Sequence, residues 1–207
     1  MKPLQIPLEE GRFYHIFNRG NNGDKIFYST ENYRFFLHRL DEYLSNFIEI
    51  YAFCLLSNHF HLLVRVKEDQ KALHLQDAKL LEEDAKLLKQ SPVSAAFHRF
   101  FTSYSKAINK QEARHGSLFE NPFKRKEVGN VYYLTRLVFY IHANPQLHGI
   151  CPDFRDYSWS SYNRILSGKP TKLKKDAVVE WFNDPINYVA FHKQEIDLEE
   201  IKELVFE

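Results

Sequence analysis

Two histidines, His59 and His61, stand two residues apart in the apolar segment HFHLLVRV. In a β-strand this spacing puts both imidazoles on one face, roughly 6.6 Å apart along the backbone, while Phe60 points to the core. Two neutral imidazoles that converge from one strand can hold a single cation. Such a pair can also be incidental, so a metal site requires a third donor from elsewhere in the chain.

A second group of polar side chains lies in the segment YLTRLVFYIHANP, residues 133–145. Tyr140 and Asn144 are four residues apart and share one face of a helix, and Arg136 continues that face one turn earlier. A phenol, an amide and a guanidinium in line are not typical of a core stripe. An alternative stays open, in which Tyr140 is a half-buried packing residue and Asn144 merely ends the helix before Pro145.

These residue types together suit chemistry on a phosphodiester. A phenol has a pKa of about 10 and is a poor nucleophile when free. It can attack phosphorus if a cation neutralises the phosphate and helps the oxygen to lose its proton. His59, His61 and Asn144 would offer two nitrogens and one amide oxygen, a mixed donor set that suits Mn²⁺ or Mg²⁺.

The elements that must position these residues follow from hydrophobic periodicity and turn signals. Ser57-Asn58 is a turn signal that would join two strands into a β-hairpin. Strands interleaved with helices, with hairpins rather than βαβ crossovers, predict an α+β fold in which helices pack on one face of an antiparallel sheet. The sequence predicts strands over 13–18, 48–56, 59–66 and 123–128, and helices over 30–46, 93–112 and 131–143.

The organisation of the chain is that of a globular protein with additions. Residues 1–165 are predicted to form the main domain, with a mobile or helical charged insertion near 69–92, and residues 166–207 a C-terminal helical extension of unknown role. Cys54 and Cys151 belong to no CxxC pair, so neither a zinc ribbon nor a disulfide framework is supported, and a reducing cytoplasm is expected. No stretch approaches the roughly 18 apolar residues of a membrane span.

The net charge of +1 conceals an uneven distribution. Residues 99–126 hold seven Lys or Arg against two acids, whereas residues 197–207 hold five acids against one lysine. The basic run Lys124, Arg125 and Lys126 stands beside phenylalanines, and single-strand binding requires this combination of phosphate neutralisation and base stacking. Arg19, after the first strand, is a second candidate phosphate contact. Either group can also be ordinary surface charge.

Several segments resemble the IS200-like single-tyrosine transposases of the HUH superfamily, and the REP-associated branch above all. The combination of NHFHLLV with a distant YIHxNP is specific, and the matching segments span residues 12–165 in the family's order. They are YHIFNRGNN at 14–22, LLSNHFHLLVRV at 55–66, GSLFENPFKRKEV at 116–128, YIHANPQLHG at 140–149 and YSWSSY at 157–162.

The resemblance implies a ferredoxin-like sheet and a role for each of the four residues. His59 and His61 match the paired metal ligands, Asn144 the third ligand position, and Tyr140 the nucleophile. Cleavage of one strand beside a DNA hairpin would leave a 5′-phosphotyrosine and a free 3′-OH, which later attacks to rejoin the strand without ATP. Relatives include monomers and dimers, which leaves a homodimer open.

Two other functions stay open. One is a domesticated protein that binds nucleic-acid hairpins without catalysis, although a retired site tends to lose members and this set is complete. The other is a metal hydrolase that uses water, with Tyr140 structural. The chain also departs from the family at Asn121-Pro122, where relatives often carry a basic residue, and in the length and charge of residues 69–92.

Overall fold

The computed structural model describes residues 6–68, 91–194 and 199. The insertion expected near 69–92 therefore lies outside the described residues except for its last two positions, and most of the acidic segment 197–207 lies outside them as well. Within the described residues, no helix is both long enough and apolar enough to cross a membrane.

Four strands and six α-helices make up the described fold, together with two short 3₁₀ turns. In chain order they are β1 (Phe13–Arg19), α1 (Thr30–Leu44), β2 (Ile48–Leu56), β3 (His59–Val66), α2 (Pro92–Gln111), β4 (Lys124–Val128), α3 (Val131–Leu147), α4 (Tyr162–Leu166), α5 (Lys175–Trp181) and α6 (Pro185–Phe191).

The strands form one antiparallel sheet in the order β2-β3-β1-β4. β2 and β3 are the expected hairpin, and β3 lies between β1 and β2 because α1 carries the chain across the sheet. A helix then returns the chain from β3 to β4 on the far side of β1, which completes the split βαβ arrangement of a ferredoxin-like fold. The predicted α+β class and antiparallel sheet are confirmed.

Helices cover both faces of the sheet, not one face as the sequence predicted. On one face Ile16, Phe60 and Leu62 pack in a core shared with α1 and α2. On the other face Cys54 and Leu63 pack in a separate core shared with α3. The central strands carry apolar side chains on both faces of the sheet, so helices must cover both faces. The sequence pattern of β3, which is apolar almost throughout, already carries this information.

Helix α3 is longer than predicted and this lengthening fixes the position of Asn144. The sequence prediction ended the helix at 143, before Asn144-Pro145, but the helix continues to Leu147 with Pro145 inside it. Pro145 lacks the N–H that would bond to the Ile141 carbonyl, yet α3 continues through it for two more residues. The amide N–H of His148 donates to the Asn144 carbonyl at 2.9 Å and closes that turn.

The segment after residue 165 packs against α3. Val178, Phe182 and Tyr188 are buried in the same core as Leu137 and Ile141 of α3. A buried polar contact also joins α3 to this segment: His142 Nδ1 lies 3.0 Å from His192 Nε2. The helical extension therefore supports the helix that carries Tyr140, while the domain boundary at 165 stays a prediction.

Candidate active site

The start of β3 and the middle of α3 bring the candidate residues together. His61 and Tyr140 meet edge to face with ring centroids 5.5 Å apart, and the rings of His59 and His61 are 5.3 Å apart. His61 reaches α3 because strand alternation directs it away from Phe60, which lies in the opposite core. The structure thus places the two predicted imidazoles beside the predicted phenol.

Asn144 completes the group from one turn further along α3. Its side chain is fully buried, and Nδ2 donates to the Tyr140 carbonyl at 2.8 Å. Its Oδ1 is buried too and forms no hydrogen bond of normal geometry within the described part of the chain. The amide still lies near enough to both imidazoles to act on their pKa values. It opposes the lowering that burial causes at His59 and His61. The carbonyl oxygen of Asn144 is therefore a buried acceptor near the histidine pair.

Each imidazole is held through its Nδ1 atom. His59 Nδ1 lies 2.7 Å from Asn58 Oδ1, and His61 Nδ1 lies 2.9 Å from His15 Nε2. Because an amide oxygen can only accept, His59 donates from Nδ1 and keeps its lone pair on Nε2. Nε2 is likewise the ring nitrogen of His61 that remains for a ligand. A hydrogen bond to the far nitrogen commonly orients metal-binding histidines.

Burial keeps both histidines neutral at neutral pH. It lowers the pKa of His59 to about 4, and the nearby His148 adds to the effect. Burial also lowers the pKa of His61 well below its usual value, with further lowering by His15 and His59. A neutral imidazole is the form that binds a metal ion, so the pair is ready to act as a ligand without first losing a proton.

A cleft of about 470 Å³ opens onto this group. Its lining combines the two imidazoles and the phenol with the cationic side chains Arg19 and Lys124. Tyr140 lines this cleft although its hydroxyl is buried, so an anionic substrate in the cleft would lie beside the candidate nucleophile.

Sequence reasoning missed two histidines of the site. His15 on β1 is fully buried beside His61, and His148 lines the cleft with its ring centroid 4.8 Å from that of His59. His148 lies four residues after Asn144, so helical spacing could have found it. His15 lies two residues before Phe17, whose partner across the sheet is His61. That relation depends on the pairing of β1 with β3, which the sequence alone does not give.

Glu120 pairs with both of the predicted DNA contacts that line the cleft. Its carboxylate lies 2.6 Å from Arg19 Nε and 3.3 Å from Lys124 Nζ. Both cations are substantially exposed, so the two ion pairs hold these side chains at the rim without burying them.

The other predicted DNA contacts do not share one surface. Lys126 pairs with His15 across the sheet, whereas Arg125 pairs with Ile16, so strand alternation sends them to opposite faces. The Arg125 guanidinium lies 5.2 Å from the Phe123 ring, and burial lowers the pKa of Arg125. Arg136 lies over the Tyr132 ring at 3.5 Å. Among the described residues, none of these three cations lines the cleft, and their roles stay predictions.

The donor set fits a divalent cation with nitrogen and oxygen ligands. Within the described ranges, no three His, Cys, Asp or Glu side chains are grouped to hold a metal ion. Two imidazoles and one amide oxygen form a different kind of set, and the buried Asn144 Oδ1 is the observation in its favour. This mixture suits Mn²⁺ or Mg²⁺ better than a softer thiolate-bound metal.

Comparison with solved structures gives this geometry a context. The fold is similar to that of a REP-associated tyrosine transposase bound to a REP hairpin, with a TM-score of 0.60 over 82% of this chain and 89% of that chain. The two sequences are 16% identical, so the likeness shows the fold. The resemblance to REP-associated transposases expected from the sequence is confirmed at this level. No protein-family model and no curated protein matches the chain.

Proposed function

We propose that this protein is a metal-dependent tyrosine transposase of the IS200-like type, which cleaves and rejoins single-stranded DNA beside a hairpin. The observation that carries the proposal is the meeting of Tyr140 with His59 and His61 at one cleft, with the buried amide of Asn144 beside the two imidazoles. The fold it shares with a hairpin-bound tyrosine transposase supports the same conclusion.

A divalent cation fits the site through His59 Nε2, His61 Nε2 and Asn144 Oδ1. Bound there, Mg²⁺ or Mn²⁺ would neutralise charge on the phosphate and favour loss of the phenolic proton. The chain contributes the orientation of these donors. Asn58 and His15 hold the two imidazoles, and the Nδ2 hydrogen bond to the Tyr140 carbonyl fixes the amide.

The covalent step exchanges one phosphodiester bond for another. The Tyr140 oxygen attacks phosphorus, and an O–P bond forms as the bond from phosphorus to the 3′ oxygen breaks. The phenol loses its proton to solvent or a neighbouring base, and the departing 3′ oxygen takes up a proton. The product is a 5′-phosphotyrosine and a free 3′-OH. The reverse attack by a 3′-OH rejoins DNA, and no nucleotide is hydrolysed.

The substrate assignment rests on charge at the rim of the cleft. Arg19 and Lys124 flank the entrance at positions where a phosphate backbone would pass. Phosphate contacts of this kind position a strand without reading its sequence. The hairpin is assigned by likeness to the solved complex.

The test is covalent capture of labelled DNA. A hairpin oligonucleotide with single-stranded flanks carries its label at the 3′ end, because a 5′-phosphotyrosine retains the downstream fragment. With Mn²⁺ we expect label that migrates with the protein through SDS. Tyr140→Phe should lose this adduct, whereas Tyr133→Phe, an exposed tyrosine on the same helix, should keep it.

Each other result points to a different function. Cleavage without protein-linked label would indicate a hydrolase that uses water. Tight binding without cleavage would indicate a hairpin-binding protein. An adduct that survives Tyr140→Phe would refute the assignment of the nucleophile.

A further inference from the structure

A second cavity of about 770 Å³ adjoins the cleft. It lies between α2 and the segment 116–123, and Asn18 lines both this groove and the cleft. Asn18 is buried where the two spaces meet, with Nδ2 donating to the Glu120 carbonyl at 3.1 Å. We call this cavity the α2 groove. Because Asn18 lines both cavities, a strand that passes this residue would reach both.

One wall of the α2 groove is a polar stripe along α2. The stripe includes Ser94, His98, Ser105 and Asn109, which recur at roughly helical spacing. Asn109 Nδ2 donates to the Gly116 carbonyl at 2.8 Å, while its Oδ1 is buried and has no hydrogen-bond partner among the described residues. This wall offers hydroxyl donors and a buried acceptor to a ligand.

Aromatic and cationic side chains from both sides of the groove also line it, Phe101 and Lys106 from α2 and Phe123 and Arg125 from the segment across from it. Phe123 and Phe101 have ring centroids 5.3 Å apart, and both line the groove while only partly buried. Lys106 and Arg125 add positive charge at the same cavity. The acid that lines it, Glu120, already pairs with Arg19 and Lys124. The groove is therefore locally basic.

We propose that the α2 groove binds the unpaired strand that continues from the cleft, with bases against Phe101 and Phe123 and phosphates near Lys106. Aromatic rings beside a cationic track are what single-stranded DNA requires, because an unpaired base has a free face for stacking. A duplex stacks its bases internally and offers no such face to a wall of rings. This inference rests on the proposed function and locates the single-stranded part of its substrate.

Binding measurements with two ligands test the groove. One is a blunt DNA hairpin and the other is the same hairpin with a single-stranded flank, and both are titrated against the full chain carrying Tyr140→Phe. We expect His98→Ala combined with Lys106→Ala to weaken binding of the flanked hairpin by roughly 5-fold or more, and binding of the blunt hairpin little. Both residues are exposed, so the fold should persist. Lys110→Ala is the matched control, since Lys110 is exposed on the same helix and does not line the groove.

Photo-crosslinking provides a second readout. With 5-iodouracil in the flank, we expect adducts on Phe101, Phe119 or Phe123. Adducts confined to other surfaces would overturn the inference, as would equal weakening of both ligands, no weakening of either, or failure of the protein to bind both. Selective binding without a covalent adduct on Tyr140 in the native chain would overturn the proposed chemistry alone. If the native chain forms the adduct but His98→Ala combined with Lys106→Ala leaves binding of the flanked hairpin unchanged, the inference about the groove alone is overturned.

Discussion

His15 Nε2 and His61 Nδ1 are joined by a hydrogen bond of 2.9 Å across neighbouring strands, and both rings are buried. The rings are nearly parallel, and Phe17 stacks beside His15 with centroids 4.7 Å apart. His61 therefore has little freedom to turn. If His61 binds a cation through Nε2, its Nδ1 must carry the proton and donate it to His15.

This relationship makes His15 a positioning residue with a measurable effect on metal binding. We expect His15→Leu to weaken Mn²⁺ binding by about 10- to 100-fold, the usual effect of removing a partner behind a ligand. His15→Gln should restore part of the affinity, because its amide oxygen can accept from Nδ1. Calorimetric titration with Mn²⁺ measures both variants.

The control for packing is Phe17→Leu, which alters the same wall without touching the hydrogen bond. We expect it to leave the Mn²⁺ affinity close to that of the unaltered chain. Equal affinity for His15→Leu and the unaltered chain would contradict the positioning role.

Substitutions of Asn144 test whether this residue is a metal ligand or only ends the helix. We expect Asn144→Asp to bind Mn²⁺ at least as tightly as the native chain, because an oxygen remains and gains charge. Asn144→Leu should lose roughly 10-fold or more, since no donor remains beside the imidazoles. If both variants bind Mn²⁺ equally and support adduct formation equally, Asn144 serves the helix alone.

Local sequence patterns were sufficient to predict most of the fold. The hairpin of β2 and β3, helices α1 and α2, and the antiparallel sheet follow from periodicity and turn residues, because these signals act over short distances. The end of α3 was misjudged because Asn144-Pro145 was taken as the stop of the helix, a boundary that a proline favours but does not impose. The second covered face was missed because a sheet with all its helices on one face was taken as the simplest arrangement.

Only part of the candidate site could be predicted from local sequence patterns. Spacing within one strand and one helix offered His59, His61, Tyr140 and Asn144 as candidates, and the family resemblance assigned their roles. The structure brings these side chains together, while their roles stay predictions. His15 and Glu120 depend on pairing between segments far apart in the sequence, which no local pattern reveals. The basic run at 124–126 was treated as one patch, although strand alternation divides it between two faces.

Glu120 sets the electrostatic potential at the mouth of the cleft. Its carboxylate pairs with both Arg19 and Lys124, and a phosphate would have to compete with it. We expect Glu120→Gln to tighten binding of flanked hairpin DNA by roughly 2- to 10-fold at low salt. Fluorescence anisotropy at several salt concentrations measures the change.

Glu127→Gln is the matched control for this effect. Glu127 is exposed and pairs with Arg12, and not with Arg19 or Lys124 at the cleft. We expect it to change DNA affinity less than Glu120→Gln does. Equal gains for both variants would mean that only net charge matters.

Lys124 should behave as a phosphate contact that carries no sequence preference. We expect Lys124→Ala to weaken binding of all flanked hairpins alike and to reduce the slope of log K against log salt by about 0.7, the value for one phosphate of a single strand. The same anisotropy titrations measure the slope. An unchanged slope would remove Lys124 from the contacts.

The buried pair His142 and His192 should make the packing of the C-terminal segment on α3 sensitive to acid. Burial lowers the pKa of His192 to about 4, with a further lowering by Arg155, and the Tyr188 carbonyl opposes this. Burial also lowers the pKa of His142 well below its usual value. In the unfolded chain a histidine binds its proton near the ordinary pKa of about 6.5.

Between pH 6.5 and 4 the unfolded state therefore binds more protons than the folded state, and the free energy of unfolding falls as the pH falls. For His192 alone the loss between pH 7.5 and pH 5 is about 2 kcal/mol. Urea titrations measure the free energy of unfolding at both pH values. We expect this free energy to fall by about 2 kcal/mol less for His192→Gln than for the native chain, because glutamine does not titrate. His38→Gln, at an exposed position on α1, should keep the full pH dependence. If His192→Gln and the native chain lose stability in parallel, acid acts on the fold through groups other than His192.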